Sequence, residues 1–309
     1  MYEQIARNKR ASWLLMATLV VILLLLGYVI GVAWSGSTDA GLGTLGLFGV
    51  IAIVWSVVGY YSGAGIVLAV SGAREVTRDQ APQLWNVIEE MTLASGLPMP
   101  RVYVVDDPAA NAFATGRDPR HAAVAVTSGL LAMMNRDELQ GVLAHEMSHV
   151  GNYDIRFATL VGVLVGMIAL VCDLFLRMGF FGFGGRSRDS SGAGGVFLLI
   201  GIVLAVLAPL GAAIVQFAVS RRRELLADAS AVRLTRNPAG LASALEKIAA
   251  DERPLHHANR ATAHLYIANP LRKKKVRESA GLFDTHPPIA ERIAILRAIE
   301  HGGAAPAGV

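Results

Sequence analysis

Asn135-Arg136-Asp137-Glu138-Leu139-Gln140-Gly141-Val142-Leu143-Ala144-His145-Glu146-Met147-Ser148-His149 is the stretch that decides the fold and the chemistry. Asn135 with Glu138 three residues on is a capping-box start, and Leu139, Val142 and Leu143 give the helix that follows an apolar side. The helix carries an H-E-x-x-H pentamer. Residues four apart on a helix stand one above the other, so His145 and His149 can reach a single ion while Glu146 is turned toward a water on that ion. The geometry suits zinc. Two surface histidines flanking a glutamate are the bland alternative.

A catalytic zinc site takes three protein ligands and leaves a fourth position open. Gly151, Asn152 and Tyr153 follow the pentamer without a third histidine, so another segment has to supply the ligand. The best candidate is Glu224, in Arg223-Glu224-Leu225-Leu226-Ala227-Asp228. Asp228, one turn on, shares its face and can accept the outer N–H of a ligating imidazole, which fixes tautomer and ring orientation. A solvated Arg/Glu/Asp face would look the same at this level.

Around this run the composition is that of a membrane protein: of 309 residues 53% are hydrophobic and 17% charged, against roughly 45–50% and about 25% in soluble domains. The net charge is +4, with the basic residues bunched at the ends of apolar runs, so nucleic acid is not expected as a partner. The single cysteine, Cys172, allows neither an internal disulfide nor a cysteine metal cage. Four apolar stretches, near 12–34, 42–70, 157–178 and 196–219, approach or exceed the roughly 18–20 residues a membrane-crossing helix needs. The first is bracketed by Trp13 and Trp34 and preceded by Arg7, Lys9 and Arg10, which marks a retained signal anchor rather than a cleaved signal. Arg74 and Arg78 end the second and complete a hairpin. By the positive-inside rule residues 73–155, and the chain after Arg221, Arg222 and Arg223, are expected on the cytoplasmic side. Arg186 and Arg188 between the third and fourth stretches, and Asp173 within the third, leave open whether that second hairpin crosses fully or lies shallow and partly covered by protein. Glycines recur four apart at Gly27/Gly31, Gly59/Gly63 and Gly162/Gly166, a spacing that lets membrane helices approach closely.

The polar segments have ordinary globular patterning. Pro82 to Ser95 is an amphipathic helix with Leu84, Val87, Ile88, Met91 and Leu93 as its apolar positions and Gly96 as its stop. Arg101 to Val105 and Ala122 to Thr127 are β-branched-rich runs bounded by turn residues, which predicts strands and a small sheet. Between Asp251 and Ala280 lie His256, His257, His264 and the basic run Arg272 to Lys275. A solvated charged face is the expectation there, with a lid over the site or a lipid contact as the alternative, and none of these histidines is assigned to the metal.

Four ordered motifs, Asn111 to Gly116 (NAFATG), His145 to His149, Arg221 to Asp228 (RRRELLAD) and Thr285 to Arg292 (THPPIAER), make the chain similar over most of its length to the HtpX-like membrane metalloproteases, relatives of the type I CAAX prenyl proteases. The resemblance implies one Zn2+ on His145, His149 and Glu224, a catalytic Glu146, and a second hairpin inserted between the ligand-bearing helices. It further implies that Asn111, Ala112 and Phe113 belong to an edge strand that pairs with an extended substrate, and that His286 steadies the developing oxyanion. From the residues alone Asn111 to Gly116 is equally a turn and short strand, and Asp284 or Thr285 ahead of Pro287 and Pro288 is a plain helix start in which His286 is structural. Protein quality control and a stress response in a bacterial inner membrane also come from the resemblance.

The expected protein is mainly α with a small β-sheet, a multi-pass membrane protein whose gluzincin-type catalytic domain is interrupted by a helical hairpin. Its parts are a transmembrane hairpin (1–72), the first catalytic segment (73–155), a second hairpin (156–220), the second catalytic segment (221–301) and a flexible tail (302–309). The expected activity is zinc-dependent hydrolysis of peptide bonds in membrane or misfolded proteins, the partners being protein substrates and the lipid bilayer. A non-catalytic zinc-stabilised adaptor is the rival, although a structural zinc normally has four protein ligands and no fourth is apparent. A transporter would need paired ionisable groups in its spans, which are almost absent.

Overall fold

The computed structural model describes residues 2–35, 37–182, 221–256, 262–268 and 287–302. Two long helices open the chain, α1 (Tyr2–Ser35) and α2 (Thr38–Val70), packed side by side. Close approach is what their glycines serve: a Cβ on Gly31 would lie 1.9 Å from Thr44 Oγ1, and one on Gly63 3.0 Å from Thr159. Leu14, Leu25, Leu42, Val50 and Ile53 are left exposed around the pair. Such a large apolar surface fits lipid, and Glu3–Val29 and Thr38–Val70 are each long and apolar enough to cross a membrane.

A four-stranded sheet follows, built from β1 (Ala73–Glu75), β2 (Arg101–Val105), β3 (Ala112–Gly116) and β4 (Ala122–Thr127) in the order β1-β2-β4-β3. Both β2 and β4 have the predicted bounds and run parallel, Arg101 opposite Ala123, while β1 and β3 pair antiparallel on either side. The sheet is therefore mixed, with β3 at one edge. Helix α3 (Pro82–Ser95) starts with proline in its first turn and stops at Gly96, whose φ of 67° is the left-handed conformation glycine adopts without steric cost. Its predicted apolar face is buried except for Leu93, which is 79% exposed: two residues past Met91, it falls on the side of the helix opposite the stripe formed by Leu84, Val87, Ile88 and Met91.

After the short α4 (Ser128–Met133) comes α5 (Arg136–Gly151), with the capping box formed in both directions between Asn135 and Glu138. It is the central element, touching α3, β3, α7 (Arg221–Thr235) and α8 (Pro238–Ala250). Gly141 makes one of these contacts possible, since a Cβ there would stand 2.7 Å from the backbone nitrogen of Leu241. Tyr153, with a φ of 61°, then turns the chain through 84° into α6 (Asp154–Gly182). The third apolar stretch lies in α6, and its first part is covered by protein: Leu160, Val161, Leu164 and Ile168 are buried. With the bend counted as one broken span the described helices give up to three crossings. The fourth stretch lies outside the described residues. Helix α9 (Ile289–Glu300) closes the fold against α8.

Candidate metal centre

Helix α5 delivers His145 and His149 to one point. Their Nε2 atoms are 3.1 Å apart, and each lies 3.6 Å from a carboxylate oxygen of Glu224 on α7. In a tetrahedral zinc site with ligand bonds of about 2.0–2.1 Å, neighbouring donor atoms stand about 3.3 Å apart. The His–Glu distances involve different oxygens, Oε2 for His145 and Oε1 for His149, so the carboxylate straddles the shared point at close to that spacing. Among the described residues this is the group of His, Cys, Asp or Glu side chains found close enough to share a metal, all donor atoms lying within 4.8 Å of one another.

Both imidazoles are held from behind. His145 Nδ1 is 2.8 Å from Asp228 Oδ1, and His149 Nδ1 is 3.1 Å from Asp154 Oδ2, so each ring donates its Nδ1 proton to a carboxylate and turns the Nε2 lone pair to the shared point. Burial and the nearby Arg292 would depress the His145 pKa, yet the Asp228 and Glu224 carboxylates carry it up to about 9 in the metal-free chain. His149 is likewise raised, its burial outweighed by Asp154 and Glu224. Glu146, almost fully buried, has its pKa raised by burial against the pull of the two histidines. A group so placed takes up a proton more readily than an ordinary carboxylate.

Asp228 was legible as a carboxylate that can stand behind an imidazole of the pentamer, and it stands behind His145. Asp154, Arg292 and Asn8 were not legible. Asp154 opens α6, five residues after His149, and only the bend at Tyr153 brings it back beneath the ring; nothing in the local pattern announces that bend. Asn8 of α1 holds it in place, its Nδ2 donating to Asp154 Oδ1 at 2.6 Å and to the Asn152 carbonyl at 2.9 Å. Arg292 appeared only as the last residue of a motif. It is 1% exposed and grips Asp228 with Nε and Nη2 at 2.8 and 2.7 Å, with Nη1 3.6 Å from Glu224. Its guanidinium keeps the Asp228 carboxyl below the ordinary carboxylate range despite burial.

Asn111, Ala112 and Phe113 are buried at the start of the edge strand β3, next to α5. That edge is not open: Ile267 donates its N–H to the Ala112 carbonyl at 3.0 Å, and Phe113 faces Tyr266 in an antiparallel bridge. The solvated face expected over 251–280 is found at Glu252 to Pro254 and His256, which are exposed, and is corrected for Thr262 to Ile267, which are buried. The correction has a simple cause: five of the seven residues from 262 to 268 are apolar and fill space beside β3, and the charged run that suggested solvent lies outside the described residues. His264 points its Nε2 at the Ala158 carbonyl, 2.9 Å away, and neither it nor His256 joins the metal group. His286 and His257 lie outside the described residues.

Two imidazoles and a carboxylate around one point, with a buried carboxylate at the adjacent helical position, form the donor set of a metallohydrolase. Residues 78–300 match the family model described as Peptidase family M48. Curated relatives named protease HtpX homolog match nearly end to end: the one from Limosilactobacillus fermentum is 46% identical over 95% of this chain and 98% of its own, and that from Streptococcus thermophilus is 45% identical over 96% and 99%. Among solved structures the chain is similar to Ste24p of S. mikatae, with a TM-score of 0.48 and 18% identity over 96% of this chain and 67% of that one. The chain belongs to peptidase family M48 and is a membrane metalloprotease.

Proposed function

We propose that the chain is a zinc-dependent endopeptidase that cuts membrane or misfolded proteins on the cytoplasmic side of a bacterial inner membrane, in the service of protein quality control. The observation that carries it is the convergence of His145 Nε2, His149 Nε2 and Glu224 at tetrahedral spacing beside a buried Glu146. His145, His149 and Glu224 hold the metal. When bound, zinc supplies Lewis acidity, lowering the pKa of a water and polarising a carbonyl. Glu146 accepts the water's proton and returns it to the leaving amine. Asp228 and Asp154 fix the imidazoles, and Arg292 keeps Asp228 ionised. Asn111, Ala112 and Phe113 receive the substrate main chain, and His286 steadies the oxyanion.

The cytoplasmic placement is supported by the basic residues at the feet of the spans, and the quality-control role by the resemblance that the four sequence motifs carry. The division at 72, 155, 220 and 301 into hairpins and catalytic segments belongs to the same proposal. Peptide cleavage by purified protein, abolished by chelator and restored by zinc, tests it. A chain that binds one zinc and leaves every peptide and unfolded-protein substrate intact would be an adaptor instead.

A further inference from the structure

The free edge of β3 is occupied by the chain itself. Tyr266 to Ala268 runs antiparallel beside it, with Tyr266 opposite Phe113 and Ile267 N–H on the Ala112 carbonyl at 3.0 Å. Asn111 brackets the next residue with both ends of its amide: Nδ2 donates to the Ala268 carbonyl at 3.0 Å and Oδ1 accepts from Ala268 N–H at 3.4 Å. The carbonyl of Ile267 accepts from Arg292 Nη1 at 3.0 Å. That guanidinium is also 3.4 Å from His145 Nδ1 and 3.6 Å from Glu224 Oε2, so the segment's main chain lies one side chain from the metal cage.

These contacts read main chain, not side chain, and any extended peptide could make them. The pairing is also short. Among the described residues it amounts to one bridge, flanked by a 3-10 turn at Ala263–Leu265, and not a ladder that would make the segment a regular fifth strand. Its side chains are apolar and enclosed: the Tyr266 ring meets Phe113 edge-on with centroids 5.0 Å apart, and Tyr266 and Ile267 are buried.

We infer that Tyr266–Ala268 is a built-in pseudosubstrate: it fills the main-chain groove along Asn111–Phe113 as an extended apolar substrate would, and must leave before a substrate enters. The inference rests on the protease reading, in which that groove receives the scissile peptide. It makes the resting chain self-blocked and assigns the groove a preference for apolar, extended segments.

The test locks the segment in place. Phe113 and Tyr266 form a directly opposed pair, close enough for a disulfide when both are cysteine. Full-length, zinc-loaded protein carrying Phe113→Cys, Tyr266→Cys and Cys172→Ser is placed in nanodiscs. Binding of a fluorescent peptide copying residues 262–268 is measured with Glu146→Gln added, and cleavage of an unstructured apolar peptide with Glu146 intact. The reduced form serves as the reference for its own oxidised form: relative to what it binds and cleaves, oxidation should weaken binding and slow cleavage at least tenfold, and reduction should restore both. Equal binding in the two redox states, or binding in neither, overturns the pseudosubstrate. Redox-dependent binding with cleavage in neither form keeps it and rejects the protease reading. Ala268→Pro, which removes one N–H to Asn111 and suits an extended Ile267, checks the result in a chain with native aromatics. Its peptide binding should tighten several-fold, and unchanged or weaker binding counts against the inference.

Discussion

Asp228 touches both the ring that would bind metal and the cation behind it, 2.8 Å from His145 Nδ1 and 2.7 Å from Arg292 Nη2. Partners of this kind typically set about 10–100-fold in metal affinity. Asp228→Asn should therefore raise the zinc dissociation constant by about that factor in a chelator competition, while Glu252→Gln, at an exposed position outside the metal group, leaves it unchanged. Arg292→Met strips a buried carboxylate of its partner, and breaking such a pair costs about 3–5 kcal/mol. The expected result is a clear fall in the thermal midpoint even with zinc bound. Glu224 and Asp228 were readable because one helical turn separates them. Arg292 was not, because it meets Asp228 from 64 positions along the chain, a contact only the packed fold makes.

At the scale of elements, α5 and its neighbours set the precision of the site. The capping box, the strand bounds and the start and stop of α3 were legible because each is written within a few adjacent residues. The α5 to α6 bend was not: it depends on Tyr153 accepting a positive φ while Lys9 and Arg156 lie over its ring, 4.3 and 5.1 Å from the centroid. Through that bend α1 reaches the cage, since Asn8 holds the Asp154 that orients His149. Asn8→Ala should weaken zinc retention several-fold, whereas Ser12→Ala, whose hydroxyl only returns to the Asn8 carbonyl, should not. Equal zinc affinity in both variants would mean that the first membrane helix leaves the metal site untouched. Gly141→Ala should destabilise the fold by about 1–3 kcal/mol, because the added methyl meets backbone and not a movable side chain. Calorimetry on the zinc-free and zinc-loaded forms measures it.

On the scale of the whole molecule, two apolar helices carry a mixed sheet and a helical layer that closes around one cage. The apolar composition announced the membrane, and the exposed leucines and valines of α1 and α2 match it. Depth is harder to read from a sequence, since α6 is as apolar as a span yet hides its first part against protein. Reporter fusions after residue 38 should report the outside, and those after residues 130 and 300 the cytoplasm; an external signal at 300 would break the proposed arrangement. Chelation should lower the thermal midpoint of the intact protein, because a ligand held only by the folded chain stabilises it.

The central claim is that Glu146 moves the protons of peptide hydrolysis beside a metal it need not bind. Glu146→Gln keeps the shape of the site and all three candidate ligands, and general acid–base help is worth about 10²–10⁴-fold. Measured on protein shown to be folded and to carry zinc, cleavage of a model membrane substrate should fall toward the upper end of that range. Cleavage by the glutamine variant at close to the parent rate would contradict the account.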